Sequence, residues 1–171
     1  MRRPYIKKFA IAFTATALAL TLTACAGAGP NAATRLIKRV TDGNEATVTT
    51  DGNNLSISNF LLVATEDGSA VVVGTIVNHA AEADALLGIS AAGSTQAAIT
   101  GQQNLLTDMP IRFEGDSANA KAVFAGVGAK PGNNVTLTLT FARAGIVTID
   151  AIIRDKRDTY ANVTSGAKLA K

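Results

Sequence analysis

The sequence predicts an all-β domain, an antiparallel two-sheet β-sandwich, over residues 46–155. Three observations carry that prediction. Short runs of aliphatic and β-branched residues recur over this stretch, separated by Gly, Asn and Asp. One of them, Val135-Thr136-Leu137-Thr138-Leu139-Thr140-Phe141, alternates apolar residues with threonine, as a strand with two unlike faces does. A stretch of about 110 residues is enough for one such core and too short for two domains.

Taken in order, the first strand is expected at 54–64, with Leu55, Ile57, Phe60, Leu62 and Val63 as its apolar residues. Glu66-Asp67-Gly68-Ser69 turns the chain into a second strand at 70–77, which holds Val71, Val72, Val73, Ile76 and Val77. Weaker strands are expected at 86–91, 96–100, 111–113 and 121–125. Lys130-Pro131-Gly132-Asn133-Asn134 is a turn, because proline presets one backbone angle and glycine or asparagine accepts the left-handed one. The alternating strand follows, and Ala142-Arg143-Ala144-Gly145 turns it into a partner at 146–153, giving a C-terminal hairpin. Seven or eight short strands at this spacing suit a sandwich. The last stretch, 156–171, carries four basic residues and few apolar ones and is expected as a mobile tail, with Tyr160 and Val163 available to pin part of it.

Ahead of the domain, the first eight residues carry Arg2, Arg3, Lys7 and Lys8 with no acidic residue, and residues 9–22 carry no charge. This is the basic and apolar tandem of a secretory signal. The apolar run is too short to span a hydrocarbon core of roughly 30 Å, which needs about 20 apolar residues in a helix. Leu22-Thr23-Ala24-Cys25 closes the run and resembles the bacterial lipobox, which implies a diacylglyceryl group on the thiol of Cys25 and cleavage before it. A thiol is required because a thiolate is the usable nucleophile for such a transfer. The expected organisation is a signal peptide at 1–24, a lipidated N-terminus and flexible small-residue tether at 25–45, the sandwich, and the tail. Arg2-Arg3-Pro4-Tyr5-Ile6-Lys7 is also similar to the twin-arginine export motif, but lacks the Ser or Thr that usually precedes it. The protein is therefore expected on the extracytoplasmic face of a cell membrane, with the membrane itself as a partner through Cys25. As Cys25 is the only cysteine, no intrachain disulfide can brace the domain.

Charge excludes one class of partner. The chain has 16 Lys and Arg against 13 Asp and Glu, but residues 1–24 hold four of the basic residues and none of the acidic. The remainder has twelve basic against thirteen acidic residues, a formal −1, so no general affinity for nucleic acid follows.

Within the domain, Val73-Gly74-Thr75-Ile76-Val77-Asn78, then Asp84-Ala85-Leu86-Leu87-Gly88-Ile89-Ser90, then 130–141 with Ala144-Gly145-Ile146-Val147, resemble the periplasmic copper chaperones of the PCuAC type in kind and in order. The similarity runs over roughly 54–153, and is closer still to actinobacterial lipoproteins of the LpqE type. It implies a cupredoxin-like or immunoglobulin-like sandwich. The copper chaperones hold Cu(I) with two histidines and two methionines, ligands whose softness suits that ion. One His-x-Met pair of theirs aligns with Lys121-Ala122-Val123, ahead of Gly126, so Lys121 and Val123 stand where ligands would be, and neither is a useful copper ligand. Outside the signal the chain offers His79 and Met109, 30 positions apart. A lone loop histidine is more often a surface residue, and a lone methionine more often fills a gap in the core. No metal site and no cofactor is expected.

Catalysis has as little to work with. A nucleophile and base pair would have to use His79, and no nucleophile elbow surrounds it. The acidic residues lie singly or beside turns, without the pairing that acid–base chemistry needs. The expected function is a non-catalytic binding module that meets another envelope protein or a cell-wall component. The alternative is a copper chaperone-like, metal-handling protein with a degenerate site.

Overall fold

The computed structural model describes residues 41–91 and 95–166. The signal, Cys25, most of the expected tether and the last five residues lie outside the described part. The C-terminal hairpin forms as the sequence predicts. Strand β10 (Asn134–Phe141) pairs antiparallel with β11 (Ile146–Arg154), Leu139 opposite Val147 and Leu137 opposite Ile149. Leu137, Leu139 and Phe141 are buried, while the threonines between them are partly exposed. Asp84, itself buried, holds the turn by accepting hydrogen bonds from the backbone N–H of Arg143 at 2.8 Å and of Ala144 at 3.0 Å. That meets the requirement that a buried carboxylate find donors.

The remaining strands are β1 (Asn44–Val48), β2 (Leu55–Ala64), β3 (Ala70–Asn78), β4 (Asp84–Ala91), β5 (Thr95–Gln96), β6 (Ala98–Gly101), β7 (Asn104–Leu105), β8 (Ile111–Arg112) and β9 (Ala120–Phe124). They join in the order β5-β4-β10-β11-β2-β3-β9-β6, with β1 also on β2, β7 on β4 and β8 on β3. The two ends of that path, β5 and β6, are separated along the chain by Ala97 alone, so one short segment closes the sheet on itself. The result is an all-β sandwich with the closure of a flattened barrel. Among the described residues the named strands pair antiparallel except where β11 lies beside β2, Ile153 opposite Leu62, and an isolated parallel bridge joins Asn78 to Thr107. The strand expected at 96–100 is thus two strands that cross from one part of the sheet to the other, and β1 and β7 appear where no strand is expected.

Strand β2 changes face partway along. Ser58 pairs with Thr75 and Leu61 with Val73, so Asn59 and Phe60 together oppose Gly74, the geometry of a bulge. Asn59 takes a left-handed φ of 51° and its Oδ1 accepts from the N–H of Gly43 at 2.9 Å. A Cβ on Gly74, whose φ is 150°, would sit 2.6 Å from Cδ2 of Phe60, so only glycine leaves room for that ring. The bulge sends Leu55, Ile57, Phe60 and Leu62 inward and Leu61 and Val63 outward. Inside, Phe60 meets Phe113 edge to face, with ring centroids 6.0 Å apart.

The domain therefore has two apolar clusters. The larger lies between the layers and joins Phe60, Ile76, Ile89, Phe124, Leu139 and Ile149 with many others. The smaller lies on the outer face of β2 and β3, where Leu61, Val63, Val71 and Val73 are covered by Tyr160 and Val163. This corrects two expectations. The described part of the expected tail, 156–166, is packed, with a single 3-10 turn at Asp158–Tyr160 and both Tyr160 and Val163 buried. The end of the expected tether belongs to the domain, since β1 begins at Asn44 and Asp42 accepts a hydrogen bond from the Tyr160 hydroxyl at 3.0 Å. Two apolar side chains suffice for the packing because the sheet face beneath them is itself apolar.

Candidate functional site

Strand β9 puts Ala120, Ala122 and Phe124 into the inner cluster, which leaves Lys121 and Val123 on the outer face. These are the two positions that the sequence resemblance aligns with copper ligands. Val123 packs against the outer cluster. Lys121 is only 4% exposed, although it is charged. A buried ammonium needs acceptors and a counter-charge, and Lys121 has both: it donates to the Gly166 carbonyl at 2.6 Å and the Thr164 hydroxyl at 3.5 Å, and Glu114 Oε1 stands 3.6 Å away as its ion-pair partner. Glu114 is held above the usual carboxylate range, because burial outweighs the attraction of Lys121 and a hydrogen bond from the backbone of Gly115. Its Oε1 is buried and has no hydrogen bond among the described residues.

A cleft of about 730 Å³ opens beside this pair, lined by Asn59, Glu114, Asp116, Lys121, Tyr160 and Thr164 among others. Lys121 puts a positive charge in its lining. A metal cation there would face repulsion from Lys121 and would have to compete with it for Glu114.

The other candidates, His79 and Met109, lie elsewhere and come closer together than their separation in sequence suggests. His79 follows β3 in a loop, as expected, and its Nδ1 is 2.6 Å from Oδ1 of Asp108. Main-chain bonds fix both residues: the N–H of His79 donates to Asn54 O at 2.7 Å and that of Asp108 to Asn78 O at 2.7 Å. Asn78 braces the loop, its amide donating to the carbonyls of Glu82 and Leu105. Met109 does not fill a core gap but is 57% exposed beside Asp108, because the neighbouring core positions are taken by Leu105 and Ile111. The structure thus gathers His79, Asp108 and Met109 at one end of β3, and keeps Lys121 and Val123 apart from them on β9.

Asp108 was not legible as a partner of His79, since nothing local to residue 108 points to residue 79. Both groups are open to solvent, the His79 side chain 43% and the Asp108 side chain 70% exposed. Among the described residues no group of three or more His, Cys, Asp and Glu side chains is arranged to hold a metal ion.

No family model and no curated protein matches the chain. Solved structures do. The copper-bound PCuAC domain from PmoF2 superimposes with a TM-score of 0.54 at 21% identity, covering 66% of this chain and 98% of that one. The apo PCuAC domain from PmoF1 gives 0.54 at 24% identity over 66% of this chain and 99% of that one. The apo PCuAC domain of PmoF2 gives 0.52 at 23% identity over 67% and 98%. At these identities the likeness shows the fold alone: the chain has a PCuAC-like, cupredoxin-like β-sandwich.

Proposed function

We propose that the chain is a lipoprotein anchored through Cys25 on the extracytoplasmic face of the membrane, where its sandwich acts as a non-catalytic binding module for another component of the cell envelope. The observation that carries this reading is Lys121. At a position that the sequence resemblance aligns with a copper ligand, the chain has a buried ammonium paired with Glu114 and bonded to Gly166, which speaks against a cation there and for another role of the fold. The Leu22-Thr23-Ala24-Cys25 motif supports the anchor, and the likeness to LpqE-type lipoproteins supports the pairing of anchor and fold.

Crosslinking in intact cells tests the module, with Cys25→Ser as the control. The expected result is a discrete crosslinked partner that is lost in the serine variant. No partner in repeated trials overturns the reading. Fatty-acid labelling tests the anchor separately: serine offers no thiolate to the transferase, so label that persists in Cys25→Ser means the lipobox reading is wrong.

One observation favours a second reading, metal handling. The carboxylate of Asp108 on Nδ1 of His79 leaves Nε2 as the free ligating nitrogen, an arrangement common behind metal-bound histidines, with Met109 exposed beside it. Two protein ligands give a weak, exchange-prone site. Titration of residues 26–171 with Cu(I) against a competing chelator decides between the readings. Tight one-to-one binding lost in His79→Ala establishes the second.

A further inference from the structure

Residues 155–166 cross the outer face of β2 and β3 without joining the sheet. Their bonds from main chain to main chain are local, from Tyr160 N to Arg157 O, Ala161 N to Asp158 O and Val163 N to Tyr160 O, and among the described residues none of these reaches a strand. The strap is held by side chains instead. Tyr160 and Val163 cover Leu61, Val63, Val71 and Val73. The Tyr160 hydroxyl donates to Asp42, Ser165 Oγ donates to Asp67 Oδ2 at 2.7 Å, and Lys121 Nζ donates to the Gly166 carbonyl at 2.6 Å.

The three polar posts sit on separate parts of the body: Asp42 ahead of β1, Asp67 in the turn between β2 and β3, and Lys121 on β9. None belongs to the strap, so each remains when the strap leaves. Together with the apolar floor they read a definite pattern: an aromatic hydroxyl, a β-branched residue three positions on, a hydroxyl two positions later, then a carbonyl. The entry to the strap is Asp158, which takes a left-handed φ of 51°, a conformation that costs a residue with a side chain. Release relieves it and breaks no ladder bond.

We propose that this groove is a docking site that accepts the 158–166 strap of a second copy of the chain, so that two copies pair by reciprocal exchange. The second copy is the partner whose fit is already displayed, residue for residue, by the intramolecular contact. The strap is joined to β11 by the short link 155–157, which carries no strand pairing and can redirect it. Exchange of identical elements closes on itself, buries the same apolar face in both copies and leaves nothing sticky outside.

The test uses residues 26–171, which contain the whole described domain, as wild type and with Tyr160→Ala and Val163→Asp to loosen the strap. A fluorescent peptide of residues 156–171 is titrated into each, and light scattering follows the wild type as it is concentrated. The expected result is a folded variant that binds the peptide saturably and at least about tenfold tighter than the wild type, whose groove is filled. A peptide carrying both substitutions does not bind, and the wild type forms dimers that the variant does not. A folded variant that ignores the peptide overturns the proposal. So does a variant that unfolds, because an exchangeable strap must leave a folded sheet behind. Peptide binding by a wild type and variant that stay monomeric at every concentration overturns the second copy as occupant.

Discussion

The two faces of β2 and β3 are buried by different means. The inner face is covered by the opposite layer, so each residue there is held by strand pairing over the whole sheet. The outer face is covered by two side chains of the strap, Tyr160 and Val163. Inside, burial and fold are the same event, because the residues cannot be exposed without opening the sandwich. Outside, burial is an added contact, and the sheet has its hydrogen bonds with or without it. A substitution inside should therefore weaken the whole fold, and one outside should mainly loosen the strap.

Four substitutions sharpen that contrast, beginning with the largest effect. Phe60→Ala removes a fully buried ring at the bulge and should cost about 3–5 kcal/mol in chemical denaturation. Leu139→Ala, in the middle of β10, should cost about 2–5 kcal/mol. Its neighbour Thr138→Ala, on the opposite face, should stay within about 0.5 kcal/mol of wild type, and equal effects from these two would mean that the strand does not separate inside from outside. Val163→Ala on the outer face should cost about 1–2 kcal/mol, the worth of two methyl groups at about 0.8 kcal/mol each. Hydrogen exchange should then quicken in the strap before it quickens in β10; simultaneous loss would merge the two faces into one unit.

Tyr160→Phe should have a small effect at neutral pH, a single hydrogen bond to Asp42 worth about 0.5–1.5 kcal/mol. Its signature lies in alkali. The Tyr160 hydroxyl is pushed up from 10.0 to about 12, first by burial and then by its bond to Asp42. A folded-state value above the unfolded one stabilises the fold fully below pH 10, and that contribution is lost as pH rises to about 12. Melting curves across this window should fall more steeply for wild type than for the phenylalanine variant, and parallel curves would detach Tyr160 from the strap's stability.

Legibility in the sequence followed locality. The β10–β11 hairpin could be read because alternation and turn chemistry are properties of neighbours along the chain. β1 could not, because Asn44-Glu45-Ala46-Thr47-Val48 is polar on most of its positions and is a strand only by lying on β2. The parallel placement of β11 beside β2 and the crossing at Ala97 leave no local mark for the same reason. A mark of the strap does exist. Phe60-Leu61-Leu62-Val63 and Ala70-Val71-Val72-Val73 are unbroken apolar runs, and such runs belong to strands covered on both sides. Tyr160 and Val163, two apolar residues in a polar stretch, are what covers the second side. Of the candidate site, His79 and Met109 were visible as residue types, and Lys121 through alignment. Their surroundings were not, since Asp108, Glu114 and Gly166 reach them only through the fold.

The crossing at Ala97 has a consequence for how these molecules behave when crowded. An open sheet ends in a strand whose unpaired N–H and C=O groups are a template for another chain. Here the last strand at one end, β5, continues through Ala97 into the last strand at the other, β6, and neither is longer than four residues. Both ends of the path are therefore short, and β1, β7 and β8, each paired with one strand, add at most five residues apiece. A domain that has no disulfide can thus be held at high density with little border through which neighbouring sheets could zip together.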